Sequence, residues 1–422
     1  MPGLILAAPA SGSGKTTLTL GLLRALKQRG IAVTGAKSGP DYIDPRFHQA
    51  ACGAPCFNLD AWAMSPARLR SLAASTELLL IEGAMGLFDG APPDGTGASA
   101  DLARILGLPV VLVVDAARMA HSVAPLVAGF LHHDPDVRIA GVILNRTGSA
   151  RHEIMLCRAL APLNVPVLGC LPRQDGLEHP SRHLGLVQAQ ERHDLHAYLD
   201  RAADAVARTI DLDALVALAT ALPAATPLAC VPPPAQRIAI AQDAAFSFAY
   251  PHLLADWHRA GAEISTFSPL ADQPAPNCDL IFLPGGYPEL HAGQLSSARA
   301  FMKSLKTASQ SSVIYGECGG YMTLGESLID ADGTCHRMAG LLPLQTSFAK
   351  RKLHLGYRNL SALGGPFKGT LKAHEFHYAA TVRADGPPLF SARDSEGRNL
   401  PPMGLRHGRV CGSFAHVIDC AE

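Results

Sequence analysis

The first segment whose residue types could do chemistry reads Pro-Ala-Ser-Gly-Ser-Gly-Lys-Thr over residues 9–16, between an apolar run and a helical pattern. This is the context of a P-loop, in which backbone N–H groups surround phosphates, a lysine reaches the β- and γ-phosphates and a hydroxyl binds Mg²⁺. The strict pattern has glycine where Pro9 stands, and a chance Gly-Lys-Thr at a helix start is the alternative interpretation. We expect ATP phosphates to contact the following residues: Gly12, Ser13, Gly14, Lys15, Thr16 and Thr17.

Four acidic residues accompany this loop. Asp41 and Asp44 lie in KSGPDYIDP, and Glu82 and Asp89 lie in LLLIEGAMGLFDG. Each segment includes or follows a strand-like run, and ligands bind at the carboxyl ends of strands in open parallel sheets. Glu82 directly follows LLLI, a position from which a carboxylate can hold Mg²⁺ directly or through water. The alternative for any one of these acids is a turn residue beside glycine.

The adenine side of this site has weaker signals. Asn145 ends the strand-like GVILNR, and its amide could read the edge of the base. Backbone groups near Leu171, Pro172 and Arg173 could do the same. An asparagine at a strand end is also a common turn former, so both interpretations of Asn145 stay open.

A thiol is the centre of the second chemical segment, which reads GECGG over residues 316–320 after a strand-like pattern. Glycines on both sides permit the strained strand-to-helix turn of a nucleophile elbow, which exposes a side chain for attack. The helix start predicts a lowered pKa for the thiol of Cys318, and the N–H of Gly319 could bind an oxyanion. The alternative for Cys318 is a buried structural cysteine.

His416, in GRVCGSFAHVI near the end of the sequence, is the candidate base for this thiol. A histidine beside a cysteine can accept its proton and so activate the nucleophile. The segment PGGYPEL, Pro284 to Leu290, ends another apolar run, and its Gly286 is the candidate second oxyanion donor.

Patterns typical of metal sites are weak elsewhere. His374 and His377 in HEFHY are three positions apart rather than four and lack a helical pattern, so we expect no zinc there. Cys52 and Cys56 have no second Cys/His pair to complete a site. The ten cysteines are scattered over a long chain and predict no disulfide framework.

The elements that must position these residues follow from the alternation of apolar runs with helical stretches. From residue 3 to about 215 this alternation predicts a parallel sheet covered by helices on both faces. A Pro-Pro-Pro run then indicates an exposed linker, because proline removes donors and blocks helices. We expect an α/β P-loop domain over 1–225, a linker over 226–236 and a second α/β domain over 237–422.

Composition argues against several classes of protein. Lys plus Arg and Asp plus Glu both total 36 in 422 residues, without the basic surplus typical of nucleic-acid binders. No apolar run approaches the roughly 20 residues of a membrane span, and the N-terminus lacks the basic start of a signal peptide. We expect a cytoplasmic protein with neither a nucleic-acid nor a membrane partner.

Eight segments together resemble one family over essentially the whole chain. ASGSGKTT, KSGPDYIDP, IEGAMGLFDG, DAAFSF, LPGGYPEL, YGECGGYM, HEFHY and GSFAH resemble the cobyrinic/hydrogenobyrinic acid a,c-diamide synthases. The resemblance implies a dethiobiotin-synthetase-like N-terminal fold and a class I glutamine amidotransferase-like C-terminal fold. It also implies ATP and Mg²⁺ as cofactors, glutamine and a corrinoid polycarboxylic acid as small-molecule partners, and a homodimer as one possible assembly.

The resemblance also assigns roles to the acidic residues. ATP would phosphorylate two corrinoid carboxylates in turn, and ammonia from glutamine would displace each phosphate. Thr16, Asp41 and Glu82 would hold the metal, with Asp44 and Asp89 beside the acyl phosphate. Positioning and charge neutralisation of this kind are what phosphoryl transfer requires.

In the C-terminal half the resemblance implies a glutamyl thioester on Cys318, with His416 as its base. Ile418 stands two positions after His416, where an ordinary Cys-His-Glu triad has its glutamate. The group that orients the histidine is therefore not evident from the sequence.

Two other functions stay open at this point. The same domains could amidate another tetrapyrrole, such as nickel-sirohydrochlorin, or act as a cobyric acid synthase. A regulatory P-loop ATPase of the partition or MinD type is the third interpretation, but such a protein has no use for the elbow around Cys318.

Overall fold

The computed structural model describes residues 2–74, 77–174, 176–177, 181–182, 185–186 and 188–421. The chain divides into two compact units, Met1–Leu228 and Ala229–Glu422, and each is described by itself. The division falls inside the segment 226–236, for which a linker was expected. Within the described ranges, no helix is long and apolar enough to cross a membrane.

The N-terminal unit alternates strands and helices. Its strands are β1 (Pro2–Ala7), β2 (Val33–Ser38), β3 (Phe57–Leu59), β4 (Leu78–Glu82), β5 (Val110–Asp115), β6 (Ile139–Thr147), β7 (Val167–Pro172), β8 (Ser181–Arg182), β9 (Gly185–Leu186) and β10 (Thr220–Ala221). Its α-helices are α1 (Lys15–Gln28), α2 (Asp44–Cys52), α3 (Pro66–Ala73), α4 (Ser99–Leu106), α5 (Val123–His133), α6 (Ala150–Leu160), α7 (Leu195–Thr209) and α8 (Leu212–Leu218). Short 3₁₀ turns lie at Ala161–Leu163 and Ala189–Glu191.

The main sheet of this unit has the strand order β3-β2-β4-β1-β5-β6-β7 and is parallel along that path. Its central strands are buried because their side chains are apolar on both faces, as parallel sheets covered by helices require. The short strand β10 adds an antiparallel partner to β1, which the sequence did not predict. Register places Lys37 of β2 beside Glu82 of β4, so that two charged residues meet at the carboxyl edge.

The C-terminal unit contains more antiparallel strand than the α/β prediction implies. Its strands are β11 (Arg237–Ala241), β12 (Glu263–Phe267), β13 (Leu280–Leu283), β14 (Val313–Glu317), β15 (Ser327–Ile329), β16 (Cys335–Arg337), β17 (Leu344–Ser347), β18 (His354–Ala362), β19 (Thr370–His377), β20 (Ala380–Ala384), β21 (Phe390–Arg393), β22 (Asn399–Met403), β23 (Leu405–His407), β24 (Val410–Ser413) and β25 (Ala415–Cys420). Its helices are α9 (Pro251–Arg259), α10 (Ala292–Ser297), α11 (Arg299–Ala308) and α12 (Gly319–Leu324), with a 3₁₀ turn at Pro288–His291.

Two sheets of this unit meet at the thiol. The mainly parallel sheet runs β12-β11-β13-β14-β24-β23, and Cys318 follows its strand β14. The antiparallel sheet runs β22-β21-β18-β19-β25, and His416 lies on its strand β25. Only Phe414 separates β24 from β25, so the chain passes directly from one sheet to the other. This crossing brings the candidate base to the candidate nucleophile.

One pair of cysteines departs from the expectation of unbonded thiols. Cys230 and Cys420 form a disulfide, with their Cα atoms 5.8 Å apart. They are separated by 190 positions in the sequence, so no local spacing could have indicated the pair.

Candidate functional site

The phosphate loop is fixed by backbone conformation that favours glycine. Gly14 has a φ of 85° and immediately precedes Lys15, the first residue of α1. A Cβ atom placed on Gly14 would lie 2.2 Å from Nδ2 of Asn145, so a side chain cannot be accommodated there. The amide of Asn145 instead donates to the carbonyl oxygen of Ser13 at 2.8 Å. Asn145 therefore supports the loop from β6, and its contact with adenine stays a prediction.

A cavity of about 770 Å³ opens above this loop. Of the residues predicted to bind nucleotide or metal, those in its lining are Gly12, Gly14, Lys15, Thr16, Thr17, Glu82 and Asn145. Leu171, Pro172 and Arg173 also line the cavity, in keeping with their predicted place near the base. Ser13, Asp41, Asp44 and Asp89 are described but lie outside the lining. The structure thus brings the loop and Glu82 together at the cavity. The other three predicted acids do not line it.

Lys37, which the sequence analysis missed, lies at the centre of a buried charge cluster. Its Nζ is 2.6 Å from Oδ2 of Asp44 and 2.8 Å from Oε1 of Glu82. Nε2 of His48, also missed, lies 2.7 Å from Oε2 of Glu82. The hydroxyl of Thr16 donates to Oε1 of Glu82 at 2.6 Å, linking this cluster to the P-loop. Lys37 could have been identified from the sequence, because it ends a strand-like run in the same segment as Asp41 and Asp44.

Burial and charge act in opposite directions within this cluster. Burial lowers the pKa of Lys37, but the charges of Asp44 and Glu82 outweigh it and hold the pKa above its ordinary value. Burial raises the pKa of Glu82, but Lys37 and His48 outweigh it and hold the pKa below its usual range. Burial and the charge of Asp41 raise the pKa of Asp44 in spite of Lys37. Two neighbouring carboxylates whose pKa values are pushed apart are typical of acid–base sites.

Asp41 and Asp89 organise backbone turns. Oδ1 of Asp41 accepts from the N–H groups of Ile43 and Asp44, at 2.8 and 2.9 Å, where α2 begins. Oδ2 of Asp89 accepts from the N–H of Gly86 at 2.9 Å. These contacts agree with the alternative of turn residues, and a direct role on metal or phosphate stays a prediction for both.

In the C-terminal unit, Cys318 occupies a strained turn between β14 and α12. Its φ of 46° lies in the left-handed region, which a non-glycine residue adopts at a cost. A Cβ atom on Gly320 would lie 1.9 Å from the carbonyl oxygen of Leu283, so the turn needs glycine there. This geometry is the nucleophile elbow that the GECGG segment predicted.

Gly285 lies between the thiol and the imidazole. A Cβ atom placed on Gly285 would lie 2.3 Å from Cε1 of His416 and 3.3 Å from Cβ of Cys318. The two side chains therefore converge on the space that this glycine leaves open. The candidate oxyanion donors are also close to each other, since a Cβ on Gly319 would lie 3.1 Å from the backbone nitrogen of Gly286. Their joint binding of an oxyanion stays a prediction.

The expected lowering of the thiol pKa is wrong for this structure. Burial, and after it the charge of Glu289, raise the pKa of Cys318 well above its ordinary value. A backbone hydrogen bond at Gly319 acts in the opposite direction but is outweighed. Because only 4% of Cys318 is exposed, desolvation of the thiolate outweighs the helix start. The thiol therefore needs a base to lose its proton.

Comparison with known proteins identifies the family. Residues 4–187 match the CobQ/CobB/MinD/ParA nucleotide binding domain, and residues 237–421 match the CobB/CobQ-like glutamine amidotransferase domain. Proteins named hydrogenobyrinate a,c-diamide synthase from Brucella anthropi and Brucella suis are both 57% identical to this chain. The alignments cover 100% of both chains for the first and 99% of both for the second. The protein of that name from Rhizobium meliloti is 54% identical, with 100% of both chains covered.

The chain belongs to the hydrogenobyrinate a,c-diamide synthase family. It is an enzyme of the ligase class with a nucleotide-binding P-loop domain and a glutamine amidotransferase domain. The predicted resemblance and the predicted fold class of both halves are confirmed. Membership of this family favours the ligase over the regulatory ATPase.

In this diamide synthase family member, the HEFHY segment lies over the thiol. The carbonyl oxygen of Phe376 is 3.9 Å from Sγ of Cys318. His354, Glu375 and His377 bring one ligand atom each within 4.8 Å of one another. Glu375 is paired with the guanidinium of Arg358 at 2.7 Å, and this positive charge opposes a metal ion at the same carboxylate. We therefore assign the group to the wall of the thiol site.

Proposed function

We propose that this enzyme converts hydrogenobyrinic acid into its a,c-diamide, with ATP as the energy source and glutamine as the nitrogen donor. The observation that carries this proposal is identity of 57% over 100% of both chains to a protein of that name. Two separate chemical centres, one in each unit, support it. The corrinoid and glutamine are its small-molecule partners, and we place the reaction in the cytoplasm without nucleic acid or membrane.

The N-terminal centre would activate the carboxylates. Lys15 and the N–H groups of the loop would bind the phosphates of ATP, as in other P-loops. Oxygen donors of Thr16 and Glu82 lie 2.6 Å apart at the cavity, a donor type that suits Mg²⁺. When bound, the metal would neutralise charge on the phosphates. Asp41, in the turn that precedes α2, is the third residue of the predicted metal set.

Activation would proceed through an acyl phosphate on each carboxylate. The carboxylate oxygen attacks the γ-phosphorus of ATP, and ADP leaves. Lys37 and Lys15 would stabilise the negative charge that gathers on the transferred group. Ammonia then displaces phosphate and leaves a carboxamide, with Asp44 and Asp89 as the acids beside the acyl phosphate.

The C-terminal centre would release that ammonia. His416 takes the proton of Cys318, and the sulfur attacks the side-chain amide of glutamine. The N–H groups of Gly286 and Gly319 would donate to the oxyanion. Ammonia leaves with the proton from His416, and water hydrolyses the thioester to glutamate.

Substrate identity is tested by incubation with glutamine and MgATP on hydrogenobyrinic acid, cobyrinic acid and nickel-sirohydrochlorin in parallel. We expect chromatography and mass spectrometry to show two new amides on hydrogenobyrinic acid. Diamide formation on nickel-sirohydrochlorin alone would overturn the proposed substrate, and further amides on a diamide would indicate a cobyric acid synthase. The predicted homodimer is checked by sedimentation of the same preparation.

A further inference from the structure

The base of the thiol site needs a group that orients it, because an imidazole must present one nitrogen to the thiol and keep its proton on the other. In an ordinary Cys-His-Glu triad this group is a glutamate two positions after the histidine, but Ile418 stands there. Ile418 is fully buried and apolar, so it cannot fill that role. The orienting group must come from elsewhere in the fold.

Glu317 lies directly before Cys318, at the end of β14, and is 3% exposed. Its Oε2 is 3.6 Å from Nδ1 of His416. Since side chains alternate along a strand, Glu317 shares a strand face with Tyr315, and it contacts β25 of the antiparallel sheet. A single turn of chain thus supplies both the nucleophile and a carboxylate beside the base.

The carboxylate is itself held in place. Its Oε1 accepts from the hydroxyl of Tyr315 at 3.0 Å and from the backbone N–H of Val417 at 3.1 Å. Tyr315 lies two residues before it on β14, and Val417 is the neighbour of His416 on β25. Two donors on Oε1 fix the carboxylate and leave Oε2 as the oxygen nearer to the imidazole.

Other charged groups around His416 are less suited to this task. His374 is its partner across β19 and β25, and burial, with the charge of His416, lowers its pKa to about 3, so it stays neutral. Glu375 is engaged by Arg358 and by His377, the latter at 2.9 Å. Glu289 acts on Cys318, whose pKa it helps to raise.

We propose that Glu317 is the positioning residue for His416 and replaces the triad glutamate that the sequence lacks. The inference rests on the proposed glutaminase chemistry. Nδ1–H of His416 donates to Oε2 of Glu317, which leaves the lone pair of Nε2 for the thiol proton. The contact tightens as the imidazolium forms, as catalytic hydrogen bonds of free enzymes do. The proton then passes from Nε2 to the departing ammonia, and Glu317 itself transfers no proton.

Glu317→Gln tests this role, because the amide oxygen can still accept from Tyr315 and Val417 while the charge is lost. We expect the glutaminase kcat to fall about 10- to 100-fold, the usual cost of losing an orienting group, with little change in the KM for glutamine. Synthesis with ammonium chloride should keep its wild-type rate.

Glu396→Gln is the matched control, since Glu396 pairs with Arg398 in an exposed turn of the same unit. It should leave the glutaminase kcat, the pH profile and the melting temperature unchanged. Glu317→Asp should recover part of the lost kcat, because it keeps the charge at a greater distance from the imidazole.

An unchanged glutaminase kcat in Glu317→Gln would overturn the inference. So would a parallel loss of glutaminase, ammonia-dependent synthesis and melting temperature, which would make Glu317 a folding residue. If the wild-type enzyme hydrolyses glutamine but amidates no corrinoid, the substrate proposal fails while this test remains decisive. If the wild type lacks glutaminase activity altogether, the proposed chemistry itself fails.

Discussion

In the N-terminal unit, the key carboxylate Glu82 lies 2.8 Å from Lys37 and 2.7 Å from His48, whereas in the C-terminal unit Cys318 has acidic neighbours. The first arrangement keeps a carboxylate ionised, and burial and Glu289 keep the second group protonated. Phosphoryl transfer requires fixed charges that receive the developing charge of the substrate. Covalent catalysis by a thiol requires a proton that can be moved on demand. Burial favours the neutral form in both units, but neighbouring positive charges overcome it at Glu82 and, among the described residues, no such charge does so at Cys318.

The largest effect expected from this contrast is that of Cys318→Ala. Glutamine hydrolysis and glutamine-dependent synthesis should fall to background, because the nucleophile is lost. Synthesis with ammonium chloride should persist, since the activating centre is a separate cluster. The measurement is product formation with each nitrogen source. Cys278→Ala, at another buried cysteine of the same unit, is the control and should retain both activities. Failure of ammonia to restore synthesis would contradict the separation of the two centres.

Glu82→Gln should break the N-terminal centre. Loss of this charge leaves Lys37 with one carboxylate, and breaking a buried pair costs about 3–5 kcal/mol of unfolding free energy. Synthesis should fall by at least about 100-fold with either nitrogen source. Chemical denaturation and initial rates measure the two effects. Glu77→Gln is the matched control, because Glu77 precedes the same strand at its opposite end and contacts Thr34. Equal losses in both variants would remove the special role of Glu82.

Glu289→Gln should sharpen the comparison at the thiol. Burial raises the pKa of Glu289 from 4.5 to about 8, so its ionisation is disfavoured in the folded state. Wild-type stability should therefore decline relative to the variant as pH rises from 4.5 towards 8, and the difference should then level off. Melting temperatures across this range test it. Above about pH 8, iodoacetamide should also modify Cys318 faster in the variant, because a nearby negative charge is gone. If the melting temperatures of both proteins depend on pH in the same way, the raised pKa of Glu289 is contradicted.

The smallest effect concerns protons at the P-loop. Burial and the charge of Lys37 lower the pKa of Lys15 to about 8, and phosphates should raise it again. A nonhydrolysable ATP analogue with Mg²⁺ should therefore take up a fraction of a proton on binding at about pH 8.5, where ATP is fully ionised. Calorimetry in buffers of different ionisation enthalpy measures this uptake. Lys15→Arg, which stays protonated, should show none, and wild-type binding without uptake would contradict the lowered pKa.

The local backbone geometry of the P-loop and of the elbow was predictable from the sequence, because both turns are defined by glycines a few positions apart. Gly14 and Gly320 carry that information in a short window, and the structure shows why each position excludes a side chain. The division into two α/β halves was predictable for a similar reason, since apolar runs alternate with helical stretches.

Partnerships between distant segments were not predictable. Lys37 meets Glu82 through the register of β2 and β4, and Glu317 meets His416 where two sheets come together. The direction of the pKa shift at Cys318 depends on how deeply the elbow is buried, which motif spacing does not contain. These features follow from packing and not from the motifs alone.

Gly285 has a consequence for mutational tolerance. Its missing side chain leaves the space into which both His416 and Cys318 extend, and a methyl group there would meet the imidazole before the thiol. One substitution would thus disturb two side chains that lie 98 positions apart in the sequence. By contrast, a Cβ on Gly293 would find its nearest neighbour at 3.8 Å, on His336. Within a single short stretch of chain, one glycine is fixed by the side chains around it and another has room for a methyl group.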